Sequence, residues 1–100
     1  MRILAIERPV PGVTQSQFTP EIAADEAREA WELYQAGVIR ELYFRADEGQ
    51  AVIILECADA EEARRVLAGL PMASAGLIGF EVMPLRAYPG FARLFDPTLN

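Results

Sequence analysis

One hundred residues with a net charge of −6 and no histidine describe a single domain spanning 1–100, half apolar and a quarter charged, as ordered globular chains are. The acidic balance excludes nucleic acid and anionic membranes as partners, since both repel it. No charge-free apolar run approaches the ~20 residues that a spanning helix needs, and the apolar block in MRILAIERP is too short for a signal peptide, so the expectation is a cytoplasmic protein.

Residues 2–7, RILAIE, predict a short strand, and the prolines and glycine of RPVPGVTQSQF make a loop. Thr19-Pro20-Glu21 is a helix start: threonine caps, the proline ring suits the first turn, and the acid suits the helix dipole. Ile22, Ala23, Ala27, Ala30, Trp31 and Tyr34 then recur at helical spacing, which predicts Trp31 in the core. Gly37 ends the helix where a left-handed residue is usual. A hairpin follows, with strands near 38–45 and 50–57 and a turn at Asp47-Glu48-Gly49. Asp59-Ala60-Glu61-Glu62 is a capping box. It opens a helix with a buried stripe of Ala63, Val66, Leu67 and Leu70 and a surface Glu61–Arg65 pair. Pro71 closes that helix, MASAGL forms a loop, and IGFEVMPL is the last strand. Residues 86–100 make an irregular tail carrying Tyr88, Phe91, Leu94 and Phe95.

The order β-α-β-β-α-β predicts a ferredoxin-like α+β fold, a four-stranded antiparallel sheet with two helices on one face. RILAI and AVIIL are apolar at successive positions, which implies burial on both faces. The helices cover one face only, so the other is expected to meet a second copy, sheet against sheet, with the aromatic tail reaching across. A homo-oligomer is therefore expected, because an exposed apolar face of that size promotes aggregation.

The absence of histidine removes Ser-His-Asp and Cys-His catalysis, His-ligated haem and nearly all catalytic zinc sites. The single cysteine excludes an internal disulfide and a multi-cysteine metal site; Cys57 reads as a small buried hydrophobe. All nine basic residues are arginine, which stays protonated. Proton transfer near neutral pH falls to Asp, Glu or Tyr, with Arg left to hold an anion, and no cofactor is expected.

The hairpin GVIRELYFRADEGQAVIILE has one polar arm. Alternation places Ile39, Glu41, Tyr43 and Arg45 on one face and Arg40, Leu42 and Phe44 on the other. In a sheet of order 4-1-3-2 this strand is at an edge, where charges discourage unwanted pairing. The sharper possibility is a pocket on which Glu7, Glu56 and Glu81 converge from other strands. A carboxylate in an apolar pocket has its pKa raised and becomes a usable base, and an arginine beside it grips a substrate carboxylate bidentately. That suits proton abstraction next to a carbonyl in a small anionic metabolite. Glu41 or Glu81 would be the base, Tyr43 a donor to the carbonyl, and Arg40, with Arg45, the carboxylate holder.

GVIRELYFR, LAGLP and FEVMPLRAYP together resemble the muconolactone isomerase family. Gly37, Arg40 and Leu42 fall on its helix-end glycine and strand pattern. Leu67, Gly69, Leu70 and Pro71 fall on its Leu-x-Gly-Leu-Pro turn, and Glu81, Val82, Pro84, Leu85 and Pro89 on its last strand and the proline beyond. The likeness runs over about residues 30–90. It implies a ferredoxin-like dimeric α+β barrel built into a larger ring, with sites at subunit contacts. It also implies a cofactor-free double-bond shift in a small unsaturated lactone acid. The chain departs from the pattern at Glu41, where the family has His, at Tyr43, where it has Trp, and in a longer MASAGLIG loop. Two other readings stay open: a non-catalytic ligand-binding or assembly domain of the same group, and a cofactor-free monooxygenase-like protein caging an electron-rich aromatic.

Overall fold

The computed structural model describes residues 1–96 and Thr98; Pro97, Leu99 and Asn100, part of the expected tail, lie outside the described residues. The strands are β1 (Arg2–Pro9), β2 (Ile39–Phe44), β3 (Ala51–Glu56) and β4 (Ile78–Pro84), and the α-helices are α1 (Pro20–Gln35), α2 (Ala60–Ala68) and α3 (Pro71–Ser74). The sheet runs β2-β3-β1-β4 with every neighbour antiparallel, which is the ferredoxin-like order expected from the sequence.

Local chemistry sets the helix boundaries. Thr19 Oγ1 accepts from the Ile22 N–H at 3.3 Å and caps α1, and Gly37 takes a φ of 80° just past its end. Asp59 Oδ1 accepts from the Glu62 N–H at 2.8 Å. Glu62 reaches back one residue beyond the cap, to the Ala58 N–H, so the box closes wider than its sequence spacing implies. Glu61 pairs with Arg64, not with the expected Arg65, because i,i+3 neighbours also meet on a helix surface. Pro71 does not close α2, which ends at Ala68. It opens the one-turn α3 instead, where its missing N–H costs nothing, so half of the expected MASAGL loop is helical.

One face of the sheet presents Ile3, Ala5, Ile53 and Leu55 to Ala63 and Leu67 of α2 and to Leu70, and all of these are buried. Cys57 joins them, and burial pushes its thiol pKa up, as expected of an inert core cysteine. Helix α1 is different: it has no fully buried residue. Trp31, expected in the core, is 56% exposed and stacks on Tyr34 with ring centroids 5.8 Å apart. The side of α1 nearer the sheet carries Ala23, Glu26, Ala27 and Ala30, and Trp31 lies one step further round the helix.

A bulge at Arg40 breaks the expected alternation in β2. Ile39 faces Leu55 and Glu41 faces Ile54, leaving Arg40 as the extra residue. The parity therefore flips. Ile39 joins Leu42 and Phe44 on the helix-facing side, whereas Glu41 and Tyr43 pair with Ile54 and Val52 on the other.

That other face carries Leu4, Ile6, Val52, Ile54 and Met83, all half-buried. Beyond β4 the tail makes a short 3₁₀ turn, Gly90–Leu94. Tyr88 packs edge-on to Phe91 at 5.0 Å, but Leu94 and Phe95 are 76% and 84% exposed. The molecule is elongated, 57 × 28 × 23 Å with a radius of gyration of 16.6 Å, against about 13 Å for a rounded chain of this length.

Leu55, fully buried where β1, β3 and α2 meet, tests this core. Leu55→Ala should cost about 3 kcal/mol in urea unfolding with an unchanged m-value. A loss under about 1 kcal/mol would move the centre of the core elsewhere.

Candidate active site

Because α1 offers alanines to the sheet, its underside is not filled. A cavity of about 350 Å³ opens beneath Ala23, Ala27 and Ala30, floored by Ile39, Ile53 and Phe80 and closed at one end by Leu70 and Met72. It is large enough for a small metabolite. On its outer side, Ala27, Ala30 and Leu42 continue into a shallow groove edged by Trp31 and Tyr34. The stacked pair thus stands at the mouth.

Among the described residues, two polar side chains line this cavity, Glu7 and Glu26. Glu7 follows Ile3 and Ala5 on the helix-facing side of β1. Just past the last β1–β3 pair, Ile6 with Val52, the Ala51 N–H donates to Glu7 Oε1 at 3.0 Å. Glu26 descends from α1 in the alanine stripe, and its Oε1 accepts from the Met72 N–H of α3 at 2.9 Å. Burial pushes the Glu26 pKa above its ordinary value near 4.5. The Met72 hydrogen bond pulls it partly back, and the nearby Glu7 charge adds to the rise. Each acid is therefore oriented by a backbone N–H through one oxygen, and its other oxygen is left without a donor among the described residues. A half-buried carboxylate of raised pKa in an apolar hollow can exchange a proton with a bound molecule.

The residues expected from the sequence lie elsewhere. Glu41 and Tyr43 meet, the Tyr43 hydroxyl donating to Glu41 Oε1 at 2.8 Å. That bond, with the Glu41 charge, pushes the Tyr43 pKa above its ordinary 10 and occupies its proton. Both stand on the face away from the cavity. Glu81 shares that face but sits on β4, the opposite edge, roughly 14 Å away across three strand spacings. It is paired with Arg8, whose Nε donates to Oε2 at 2.9 Å. Arg45 braces the hairpin turn, bonded to Asp47 at 2.8 and 2.9 Å and to Glu48 at 3.1 Å. Arg40 lies in a separate surface depression with Tyr34, Gln35 and Gly37. Of the three glutamates expected to converge, Glu7 alone enters the cavity; Glu56 pairs with the N-terminal ammonium and Arg2. Glu26 was not singled out by the sequence reading, although one signal marks it. It is an acid set among alanines at i−3, i+1 and i+4, inside the stripe that amphipathic periodicity assigns to the interior.

A ferredoxin-like α+β domain with a carboxylate-bearing cavity under its first helix defines the class. Residues 4–90 match the sequence model of muconolactone delta-isomerase, and the chain belongs to that family. Among solved structures the fold is similar to muconolactone isomerase, with a TM-score of 0.69 and 22% identity over 89% of this chain and 92% of that one. It is also similar to 5-chloro-2-hydroxyhydroquinone dehydrochlorinase of Burkholderia phenoliruptrix in complex with 2,5-dihydroxybenzoquinone, with a TM-score of 0.65 and 18% identity over 90% and 98% of the two chains. Comparison with curated protein sequences gave no match. No helix among the described residues is long and apolar enough to cross a membrane.

The raised Glu26 pKa has a sign that stability measurements can read. A carboxyl that binds its proton more tightly when folded contributes stability below its unfolded pKa, and that contribution is lost as pH rises through the folded value. Wild type should therefore lose stability relative to Glu26→Gln as pH climbs from about 4.5, the ordinary value, through the raised one. The amide can still accept from the Met72 N–H. Parallel pH curves in chemical unfolding would show that Glu26 is not desolvated. The hollow has its own test: Ala27→Leu should leave the fold intact and abolish small-ligand binding, read as loss of ligand-induced change in Trp31 fluorescence.

Proposed function

We propose that the protein catalyses a cofactor-free proton shift that moves a carbon–carbon double bond in a small unsaturated carbonyl compound of lactone type, with Glu26 as the proton carrier. The observation that carries this is a carboxylate that accepts from one backbone N–H, is raised in pKa, and lines a cavity that is apolar apart from it and Glu7. In its ionised form Glu26 takes a proton from a carbon conjugated to the carbonyl. The C–H bond breaks and its electron pair moves into a dienolate. The protonated Glu26 then returns the proton to the far end of the conjugated system, and the double bond emerges one position along. No electrons are gained or lost. Family membership supports this chemistry, since the family model is that of a delta-isomerase.

The lactone carboxylate implied by the resemblance would need a cation, and Arg40 was expected to supply it. Arg40 does not line the cavity, nor does any other basic residue among those described. A substrate carboxylate about 4 Å from an ionised glutamate would cost on the order of 4 kcal/mol at an effective dielectric of 20.

A second copy of the chain is proposed to cover the open face of the sheet and the aromatic tail. Support comes from the half-buried Leu4, Ile6, Val52 and Ile54 and from the exposure of Phe91, Leu94 and Phe95, apolar area that would otherwise remain in water. Light scattering coupled to size exclusion should give an assembly larger than the 11.1 kDa chain. Replacing Phe91 and Phe95 together by Asp should shift it toward smaller species.

Proton NMR in D₂O with a panel of butenolides, muconolactone included, tests the chemistry. Protein-dependent deuterium uptake next to the carbonyl, or migration of the double bond, is the expected result, and Glu26→Gln should slow it at least ~100-fold. The size and apolar lining of the cavity also favour a second reading, a binding module without turnover. Ligand-induced stabilisation with no exchange across the panel would establish that one instead.

A further inference from the structure

We infer that the cavity selects an uncharged substrate, an unsaturated carbonyl compound whose remaining polar groups are hydroxyls or ring oxygens, and that Glu7 sets this charge selectivity. The inference rests on the proton-shift reading of the same site and goes beyond it by naming the substrate class. It starts from what faces the hollow. Among the described residues of the chain, two carboxylates line it, one from β1 and one from α1, and no arginine does. From the other packed elements, β2 contributes Leu42 and Phe44, β3 Ala51 and Ile53, α3 Met72, and β4 Ile78 and Phe80, so among the described residues Glu7 is the one titratable group that lines the hollow with Glu26.

Two backbone donors at the site are already committed. The Met72 N–H serves Glu26 and the Ala51 N–H serves Glu7, so neither is left for a substrate anion. The unused carboxylate oxygens are acceptors when ionised, and they call for a donor on the ligand, which a hydroxyl provides and a carboxylate does not. The reaction imposes the same preference. When Glu26 removes a proton, its negative charge passes to the substrate, and the total charge of the cavity does not change. An uncharged substrate then carries one negative charge beside Glu7; an anionic one carries two in the same apolar space, the arrangement that like charges resist most.

Glu7 therefore acts as an electrostatic filter and as a hydrogen-bond acceptor for the ligand, a positioning role rather than proton carriage. Glu7→Gln removes the charge while its amide oxygen still accepts from the Ala51 N–H, so the site keeps its shape.

The decisive experiment compares muconolactone with its methyl ester at pH 7, where the acid is ionised, in wild type, Glu7→Gln and Glu26→Gln. Binding is read by Trp31 fluorescence and proton shift by deuterium uptake. In wild type the ester should bind about tenfold or more tightly than the acid. In Glu7→Gln that ratio should fall by about tenfold, mostly through tighter binding of the acid. Equal or tighter binding of the acid by wild type overturns the inference, and so does a ratio unmoved by Glu7→Gln. If that variant does not fold, the wild-type ratio alone decides. Ester-selective, Glu7-dependent binding without deuterium uptake upholds the uncharged ligand and refutes the proton-shift reading. Uptake that Glu26→Gln abolishes, but with the acid preferred, does the reverse.

Discussion

Helix α1 lies over the sheet without one fully buried residue, and the hydrogen bond from the Met72 N–H to Glu26 ties its middle to α3. The site depends on this standoff. Ala30 and Leu33 of this helix pack against the core, but Ala23, Ala27 and Ala30 are short side chains, so the space that leucines would fill beneath them stays open. Each leucine buried there would contribute about 1.5–3 kcal/mol, and the chain forgoes that gain. Stability is recovered in the second half of the molecule, where Ala63 and Leu67 of α2 press on Ile3, Ile53 and Leu55 in a closed core. One helix thus holds the fold together while the other roofs a hollow, a division in which local stability is traded for function.

The two faces of the sheet handle charge differently. On the open face the ionic groups neutralise one another: Arg8 with Glu81, Arg2 and the N-terminal ammonium with Glu56. Tyr43 and Glu41 hold each other there as well. On the helix-facing side, Glu7 and Glu26 have backbone N–H groups but no counter-ion among the described residues. Charge left uncompensated in an apolar environment shifts a pKa, and this is what sets the glutamate under α1 apart from the more conspicuous acids of the strands.

The chain belongs to the muconolactone delta-isomerase family, and the polar arm of its hairpin lies away from the cavity. Glu41 and Tyr43 are bonded to each other on the open face and do not touch the cavity. Glu41 and Tyr43 therefore shape the open face of the sheet and leave the hollow as it is. The bulge at Arg40 works in the same direction, turning Ile39 inward and keeping the arginine out of the cavity.

Most of the architecture was legible from residue order. Caps at Thr19 and Asp59, the glycine after α1 and the two strand–helix–strand halves are local or periodic signals, decided by neighbours within four residues. The topology and the buried stripe of α2 followed from them. The site was not legible in the same way. One inserted residue at Arg40 reversed the faces of β2, and parity arguments cannot see a bulge that forms only when β2 pairs with β3. Spacing places Trp31 inward, yet α1 is tied to α3, a turn that Pro71 starts where the sequence pattern has it close α2. Glu26 reads in sequence as one more acid on an acidic helix. Its raised pKa exists only once α1 is set over the sheet with Glu7 nearby, because desolvation and the repulsion between two carboxylates are properties of the packed arrangement. The sequence by itself determined which segments form strands and helices and in what order they join. The tertiary structure alone decided which two of its acids would share an apolar space.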